Sequence, residues 1–421
     1  MINEESVKAV DSAQLNGHFK KPLYESYCFS QIPQTVMYAL TGEGEMGLPV
    51  SVLGELPRRY NKIIVVFVDA FGWRFVTQYL ERYPFLQRFA EQGVVSKLTS
   101  QFPSTTAAHT TTIHTGLSVG RSGVHEWNYY EPLVDRVISP LLFSYSGDKQ
   151  RETLRQSGVA PEAIFPMGTI YERLAERGVK SYGFQNRMYT PSPFSNVVFR
   201  GAKTIPYVTF FEALTNLTTT VNNSREKVYC FIYYDVIDAL MHLYGPESPQ
   251  AEAEIDIAMI ALERLLQNKL TAPDTLLLII ADHGQVAVSP ETTMYLNLMD
   301  DMPLVPLLRT NRQGELLVPA GSPRDMFLYI EEDRLDEAKA LLAERLEGRA
   351  EVYAVADLIT QGFFGAVSER FLQRVGNLVL LPYAGETVWW YERGKHEQNF
   401  HGHHGGLTPQ EMETMLLAMA Y

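Results

Sequence analysis

The sequence has few of the features that mark secreted, membrane or nucleic-acid-binding proteins. It contains only two cysteines, Cys28 and Cys230, in 421 residues, which favours reduced, buried thiols over a disulfide framework. Apolar runs such as 63–68 and 276–281 are far shorter than the roughly 20 residues that a bilayer-crossing helix needs. The charged segment 1–11 lacks the apolar stretch of a secretory signal. We therefore expect a cytoplasmic protein with no membrane partner.

The chain also lacks a surplus of positive charge. It has 36 basic and 49 acidic side chains, which give a formal net charge of −13. Binding to a nucleic-acid backbone is driven by basic side chains that displace counterions, so no nucleic-acid polymer is expected as a partner. A small anionic substrate is still compatible with this charge if bound cations reverse the local field. The apolar share of 46% is that of an ordinary globular protein.

Three near-continuous apolar runs predict buried strands of a parallel sheet, at 62–68, 227–234 and 275–281. Helical patterns at 169–177 and 251–270 lie between these runs. Strands that alternate with helices of this length indicate an α/β fold with an open, mainly parallel sheet flanked by helices. In such sheets, ligands bind beyond the carboxyl ends of the strands.

The pattern of predicted strands and helices changes after about residue 290, which indicates an insertion in the α/β core. We expect residues 1–60 to form an N-terminal extension, residues 61–290 and 376–421 the core, and residues 291–375 a small α+β insertion. Within and just after this insertion the patterns predict further elements, namely strands at 325–330, 350–355 and 376–382 and a helix at 335–346.

Carboxylates and imidazoles follow the predicted strands. Each of them alone is compatible with a helix cap or a turn, and Thr105 or Thr106 before a helix is typical of an N-cap. Together they form a mixture of ligand types that suits divalent ions such as Zn²⁺ or Mn²⁺. The set has six members, enough for two ions: Asp69, Asp238, His242, Asp282, His283 and His404.

The order of these motifs resembles a known family. The segments VDAFG, FPSTTAAH, DALMHLYGP, ADHG and HGHHGG are similar to motifs of the alkaline phosphatase superfamily, in particular its type I phosphodiesterase and nucleotide pyrophosphatase branch. This resemblance implies an alkaline-phosphatase-like fold and a metal-dependent hydrolase that cleaves phosphodiester or pyrophosphate bonds. It also implies two divalent ions, zinc or alternatively manganese or iron, and a covalent phosphothreonine intermediate.

The resemblance also implies roles for individual residues. One ion is expected at Asp238, His242 and His404. The other is expected at Asp69, Asp282, His283 and Thr106, and Thr106 is also the expected nucleophile. Thr106 is preferred to Thr105 because the family has its threonine three residues after a proline, here Pro103. His404 is preferred to His403 because a glycine follows it, with His403 as the competing ligand.

One position departs from the family pattern. The branch commonly has an asparagine three residues after the nucleophile, where this chain has His109. An imidazole there either donates to a phosphate oxygen or simply packs on the helix. Arg187 and Tyr189, in a segment that mixes aromatic side chains with arginine, are further candidates for substrate binding, and a plain surface loop is the alternative.

The expected partner is a small phosphate ester or a nucleotide-like molecule. A phosphomonoesterase or a phosphonate hydrolase of the same superfamily is the alternative enzyme. A catalytically silent metal-binding or interaction protein is the alternative from a different class.

Overall fold

The computed structural model describes residues 1–300 and 302–421. The strands of this part of the chain are β1 (Lys62–Val68), β2 (Val94–Thr99), β3 (Tyr129–Glu131), β4 (Arg136–Ser139), β5 (Ser144–Tyr145), β6 (Lys180–Asn186), β7 (Ala202–Tyr207), β8 (Val228–Tyr234), β9 (Thr275–Ile280), β10 (Val286–Ala287), β11 (Met294–Tyr295), β12 (Met326–Leu328), β13 (Ala350–Ala354), β14 (Leu378–Pro382), β15 (Val388–Trp389), β16 (Gly402–His403) and β17 (Glu413–Ala420).

The α-helices of the same residues are α1 (Glu4–Ser12), α2 (Ile32–Thr41), α3 (Trp73–Tyr79), α4 (Pro84–Gln92), α5 (Thr106–Thr115), α6 (Val119–Ser122), α7 (Pro161–Ile164), α8 (Ile170–Ala175), α9 (Pro193–Val198), α10 (Phe210–Asn223), α11 (Val236–Tyr244), α12 (Pro249–Ala261), α13 (Leu335–Arg345), α14 (Val355–Thr360), α15 (Glu369–Arg374) and α16 (Pro409–Met412). A π-helical segment, Leu262–Gln267, continues α12. Short 3₁₀ turns lie at Phe29–Gln31, Val50–Val52, Pro140–Leu142, Thr153–Ser157, Pro290–Thr292, Leu296–Leu298, Val305–Leu307 and Glu332–Arg334.

A seven-stranded sheet in the order β2-β17-β9-β1-β8-β6-β7 forms the centre of the fold. Strands β9, β1, β8, β6 and β7 pair in parallel, and three of them, β1, β8 and β9, are the strands predicted from apolar runs. Side chains of β1 alternate between the two faces, because Ile64 and Val66 belong to one hydrophobic cluster whereas Ile63 and Val65 belong to another. The prediction of an α/β fold with an open, mainly parallel sheet is therefore confirmed.

Strand β17 was not identified in the sequence. Its residues, ETMLLAMA, are good helix formers, but β17 pairs antiparallel with both β2 and β9. Six of its eight residues are buried. Burial between two strands therefore outweighs the local helix preference, and the last residues of the chain complete the central sheet.

The insertion contains a small antiparallel sheet in the order β12-β14-β13. Leu378 and Leu380 of β14 share a hydrophobic cluster with Leu342 of α13. The strand predicted at 376–382 therefore exists, but its assignment to the core is corrected. Its neighbours are strands of the insertion because its apolar side chains pack against the insertion's own helix.

The structure adds little to the expectations about location. In residues 1–300 and 302–421 no helix has the length and apolarity needed to cross a membrane. Cys28 and Cys230 are both buried free thiols. A cytoplasmic location and the absence of membrane and nucleic-acid partners stay predictions.

We expect the substitution Arg324→Met to lower the free energy of unfolding by about 3–5 kcal/mol, because it leaves a buried carboxylate without its counter-charge. Arg324 and Glu411 are fully buried, and their Nη2 and Oε2 atoms are 2.9 Å apart. Urea unfolding of both proteins measures the difference. The matched control is Arg334→Met, which breaks an exposed pair with Glu337 and should change the free energy of unfolding little, because water screens that pair. Equal losses in the two variants would contradict this interpretation.

Candidate active site

The predicted metal ligands gather at one edge of the central sheet. Asp69 follows β1, Asp282 follows β9, and Asp238 lies in α11 just after β8. These three strands are neighbours and run parallel, so their carboxyl ends meet. Ala70 has a φ of 60° and donates its backbone N–H to Asp282 Oδ1 at 3.2 Å. This turn, strained for a non-glycine residue, ties the ends of β1 and β9 together.

Asp69, Asp282 and His283 form the first group of converging side chains. The Nε2 atom of His283 is 3.1 Å from Asp282 Oδ2 and 3.6 Å from Asp69 Oδ1. All three side chains are at most 1% exposed. Asp69 Oδ1 and Asp282 Oδ2 are buried and accept no hydrogen bond among the residues that the structure describes. The group therefore directs two unsatisfied carboxylate oxygens toward one imidazole nitrogen.

Asp238, His242 and His404 form the second group, in which each side chain places a ligand atom within 4.8 Å of the other two. His242 Nε2 is 3.4 Å from Asp238 Oδ2, and His404 Nε2 is 3.8 Å from Asp238 Oδ1. Asp238 also satisfies the same distance limit with Asp69 and His283. Asp238 therefore lies between the two groups.

Backbone carbonyls hold the two histidines of the second group. His242 Nδ1 donates to the carbonyl of Gly402 at 2.7 Å, and His404 Nδ1 donates to that of Ser104 at 3.0 Å. A Cβ atom at Gly402 would lie 2.4 Å from the carbonyl oxygen of Met241, so only glycine permits this approach to α11. Both histidines thus keep Nε2 free for a metal, which is the arrangement that outer hydrogen bonds impose on ligating imidazoles.

Thr106 is the first residue of α5, beside the first group. Its Oγ1 is 3.4 Å from Asp69 Oδ2 and 3.3 Å from His283 Nε2. The Thr105 hydroxyl points elsewhere, because it accepts from the N–H of Ala108 and donates to the carbonyl of His125. Thr105 is therefore the N-cap, and Thr106 is the threonine that faces the carboxylates. Its place at a helix N-terminus adds backbone N–H groups suited to an anion.

Between the two competing histidines, the geometry favours His404. His403 is outside both groups of converging ligands, and its Nδ1 accepts from the N–H of His404 at 3.0 Å. His403 lies in β16, which pairs with β10, so its backbone is committed to a short ladder.

The charges of the site act on one another. Burial raises the pKa of Asp69 well above its ordinary value, and the nearby charges of Asp282 and Asp238 raise it further. Burial would also raise the pKa of Asp282, but the charge of His283 outweighs this effect and lowers it. Burial and the neighbouring imidazoles hold the pKa of His404 well below its usual range. The site therefore combines carboxylates that repel one another with a neutral imidazole at His404 and an imidazole at His283 whose pKa the charge of Asp282 raises in spite of burial.

These residues fit a pair of divalent cations. Carboxylate oxygens and neutral imidazole nitrogens are ligands that Zn²⁺, Mn²⁺ and Fe²⁺ accept. The unsatisfied oxygens of Asp69 and Asp282 are the observation of this structure that supports the fit, since buried carboxylates need hydrogen bonds or cations. The six predicted ligands are brought together, with Asp238 placed to serve both groups.

Two cavities open beside Thr106, with volumes of about 510 Å³ and 240 Å³. The larger cavity is lined by the second group and by aromatic and amide side chains, among them Asp238, His242, His404, Trp127, Asn128, Trp389 and Phe400. The smaller cavity is lined by Asp69, Thr106 and a second set of aromatic and polar side chains, among them Tyr189, Tyr233, Phe194, Asp235 and Arg151.

The candidate substrate-binding residues have three different positions. Tyr189 lines the smaller cavity, and its hydroxyl donates to Asp235. Arg187 is exposed and lines neither cavity, so the structure does not bring it to the site.

His109 is fully buried and does not face either cavity. Its Nδ1 donates to the carbonyl of Thr105 at 2.7 Å, and its Nε2 accepts from the N–H of Gln101 at 3.0 Å. The expected contact with a phosphate oxygen is therefore corrected, because both ring nitrogens are used by the backbone. His109 instead supports the segment that leads into α5.

Four site residues were missed in the sequence. Tyr233 donates its hydroxyl to Asp69, and Gln285 donates Nε2 to Asp238 Oδ1 at 2.5 Å. Asn128 and Arg151 line the cavities. Gln285 was visible as a polar residue directly after the Asp-His-Gly motif. The other three lie in an apolar strand or in irregular segments, where no pattern distinguishes them.

Comparisons with known proteins were made on the whole chain. The sequence model of the family described as "Type I phosphodiesterase / nucleotide pyrophosphatase" matches residues 63–407. The structure of murine ectonucleotide pyrophosphatase/phosphodiesterase 5 is similar, with 18% identity, a TM-score of 0.62 and coverage of 85% of this chain and 88% of that chain. An inactive form of the murine protein in complex with AMP has 17% identity, and the human protein has 18%. Each of these two has a TM-score of 0.62 and coverage of 85% of this chain and 87% of that chain. A comparison with curated protein sequences returns no match.

We expect Asp238→Asn to weaken Zn²⁺ binding at least about 10- to 100-fold, because this carboxylate belongs to both groups of ligands. Calorimetric titration of the metal-stripped protein measures the affinity. The shift of the thermal midpoint at saturating Zn²⁺ should shrink in parallel. Glu247→Gln, a change of the same chemistry at a side chain that is 79% exposed, is the control and should bind as the unmodified chain does. Unchanged Zn²⁺ affinity in Asp238→Asn would contradict the assignment.

Proposed function

Because the chain belongs to the type I phosphodiesterase/nucleotide pyrophosphatase family, we propose that it is a two-metal hydrolase that cleaves phosphodiester or pyrophosphate bonds through a phosphothreonine at Thr106. The observation that carries this proposal is the position of Thr106. Its hydroxyl lies at a helix N-terminus, 3.3 Å from His283 and 3.4 Å from Asp69, where two cavities meet. Among the candidates weighed above, only a phosphoryl-transfer enzyme uses a hydroxyl in that place.

The residues have separate duties in the proposed reaction. Asp69, Asp282 and His283 would hold one cation and Asp238, His242 and His404 the other. When bound, the cations supply Lewis acidity that offsets the repulsion between an anionic ester and an incoming oxygen. Thr106 gives up its hydroxyl proton, its Oγ1 forms the new bond to phosphorus, and the bond to the leaving group breaks with its electron pair on the departing oxygen, which takes up a proton. Water then cleaves the phosphothreonine and frees the hydroxyl.

Two further groups support the charge that develops on the phosphoryl oxygens. The first is the N-terminus of α5, whose backbone N–H groups and dipole favour an anion beside Thr106. The second is Asn128. We infer that it donates a hydrogen bond to a phosphoryl oxygen, the contact that was one of the two possibilities for His109. Its Oδ1 accepts from the hydroxyls of Ser139 and Ser146, at 2.7 and 3.0 Å, so Nδ2 is the amide atom left for a phosphoryl oxygen.

The substrate that we propose is a small nucleotide-like ester with two substituents on phosphorus. The AMP complex of the murine relative supports a nucleotide substrate. Tyr189 in the smaller cavity offers an aromatic face for a base. Two cavities at one nucleophile favour a diester or a pyrophosphate over a phosphomonoester, because a monoester would fill only one of them.

We expect Thr106→Val, which keeps the shape of the side chain and removes its hydroxyl, to lower kcat on p-nitrophenyl 5′-AMP ester by about 10³-fold or more. Thr106→Ser, which keeps a hydroxyl, should retain measurable turnover. Acid quenching of the serine variant and of the unmodified enzyme, followed by mass spectrometry, tests for an adenylylated residue 106. Full activity of Thr106→Val in a preparation free of other phosphatases would refute the proposed nucleophile.

We expect Asn128→Asp to lower kcat/KM by about 10²- to 10³-fold, because it replaces the amide donor by an anionic acceptor. The new side chain has the same shape and still accepts from Ser139 and Ser146, so the thermal midpoint should change little. Steady-state kinetics on the same ester measure the effect. Ser146→Ala is the control that perturbs only the support of Asn128, and it should have the smaller effect. A rate equal to that of the unmodified enzyme would exclude Asn128 from the phosphoryl site.

A further inference from the structure

The two cavities are not equivalent with respect to the reacting atoms. Thr106, Trp127, Leu142 and Asp238 line both of them. Asp69, which is 3.4 Å from the Thr106 hydroxyl, lines only the smaller cavity. His242 and His404 line only the larger one. The smaller cavity is thus on the side of the nucleophile, and the larger cavity is on the side of the second metal group.

This asymmetry assigns the leaving group to the larger cavity. In an in-line displacement the attacking and leaving oxygens are on opposite sides of phosphorus, and each of the two metal sites stabilises one of them. The oxygen of Thr106 lies beside Asp69 and His283. The departing oxygen is then expected beside Asp238, His242 and His404, where the larger cavity begins. The substituent that stays on phosphorus is left for the smaller cavity.

The wall of the larger cavity is aromatic. Trp127 is 43% exposed, Phe400 is 38% exposed, and Trp389 adds a third ring. Amide and hydroxyl groups of Asn128 and Ser139 are interspersed among these rings. This combination of ring faces and neutral polar groups is typical of sites that bind a planar or ring-bearing organic group.

The same cavity has little net positive charge away from the metal groups. None of the described residues that line it is an arginine. The Nζ atom of Lys395 is 2.5 Å from Glu392 Oε1, so Glu392 offsets its charge. Lys149 is next to the acidic Asp148 in the chain. Burial lowers the pKa of His396 from its ordinary value, so this imidazole is neutral at pH 7.

A phosphate or pyrophosphate leaving group would demand a different cavity. Such a group carries two or more negative charges, and proteins bind it with clustered arginine and lysine side chains. A cation held by Asp238, His242 and His404 would offset the charge only on the oxygen nearest to the scissile bond, whatever the leaving group is. The remaining charges would face aromatic rings and the side chains of Asp148 and Glu397. This environment penalises a polyphosphate and favours an uncharged alcohol.

We propose that the larger cavity binds the leaving group, and that the preferred substrate is a phosphodiester whose leaving group is an uncharged, ring-bearing alcohol and not phosphate or pyrophosphate. This inference rests on the proposed function. The family name covers both phosphodiester and pyrophosphate bonds, and the inference selects phosphodiester bonds as the preferred ones.

The test compares p-nitrophenyl 5′-AMP ester with ADP, on the full chain loaded with Zn²⁺. Both substrates leave the same adenylyl group on the enzyme, and only the leaving group differs. We expect kcat/KM for the aryl ester to exceed that for ADP by at least about 10-fold. Because the two leaving groups differ in chemical reactivity, the decisive quantity is how variants of the cavity change this ratio.

Two variants should change the ratio in predicted directions, and one control should leave it unchanged. Phe400→Leu should raise KM for the aryl ester about 5-fold more than it raises KM for ADP. Glu397→Lys should raise kcat/KM for ADP relative to the ester about 10-fold. Glu347→Lys makes the same charge change at an exposed residue outside both cavities and should leave the ratio as it is. Binding of the intact ester and of ADP to Thr106→Val, measured by calorimetry, supplies a readout that does not depend on turnover.

The outcomes distinguish this inference from the proposed function. Efficient, Thr106-dependent cleavage of ADP, with a ratio insensitive to Phe400→Leu and Glu397→Lys, would overturn the inference and leave the proposed function intact. Failure of the enzyme to cleave either substrate, or cleavage that survives Thr106→Val, would overturn the proposed function and the inference with it.

Discussion

Mutual repulsion among three carboxylates is the constraint on which the rest of the site depends. Asp69, Asp238 and Asp282 come from separate parts of the chain and meet at the edge of the sheet. Two of their oxygens are buried without a hydrogen-bond partner in the described residues. Such a cluster is costly in a low-dielectric interior unless cations offset it. The fold therefore holds these carboxylates in an arrangement that bound divalent cations would stabilise, as the proposed function requires.

The second metal group depends on a connection between the core and the insertion. The His404 loop continues into Gly405 and Gly406, and the N–H of Gly406 donates to Glu411 at 3.0 Å. Glu411 also accepts two hydrogen bonds from Arg324, whose guanidinium donates further to the carbonyl of Pro382 at the end of β14. One buried arginine thus joins the insertion's sheet to the loop that presents His404. The insertion therefore has a structural part in the site.

Much of this arrangement could be predicted from the sequence, and the remaining features could not be predicted, for physical reasons. The continuous apolar runs of β1, β8 and β9 predict their burial, and an acidic residue after each predicts the edge where the site forms. The resemblance adds the distinction between Thr105 and Thr106, and the geometry agrees with it. Strand β17 was missed because its residues prefer helix and only its two neighbours make it a strand.

The choice between the alternatives left open at His109 and Arg187 could not be made from the sequence for a different reason. Spacing along a helix tells which residues share a face, but not whether that face meets the substrate or the protein interior. His109 lies on the side of α5 that packs against its own preceding segment, so the backbone engages both ring nitrogens. Asn128 and Arg151 come from irregular segments, and their approach to the site depends on how those segments fold over the sheet edge.

The edge of the sheet supplies the predicted metal ligands, whereas the connecting segments supply much of the cavity walls that would select the substrate. The carboxylates proposed to bind metal follow strands that are buried on both faces of the sheet. Much of the wall of the larger cavity comes instead from the segments around β3–β5 and from the segment between β15 and β16, whereas the smaller cavity is lined mainly by the segment after β6, with Tyr189 and Phe194. Most of the side chains on these walls are not among the six predicted ligands, although the ring of Phe400 packs against that of His242. A substrate preference that differs from those of other family members therefore requires no change in the catalytic edge, only a different set of rings and charges around the departing group.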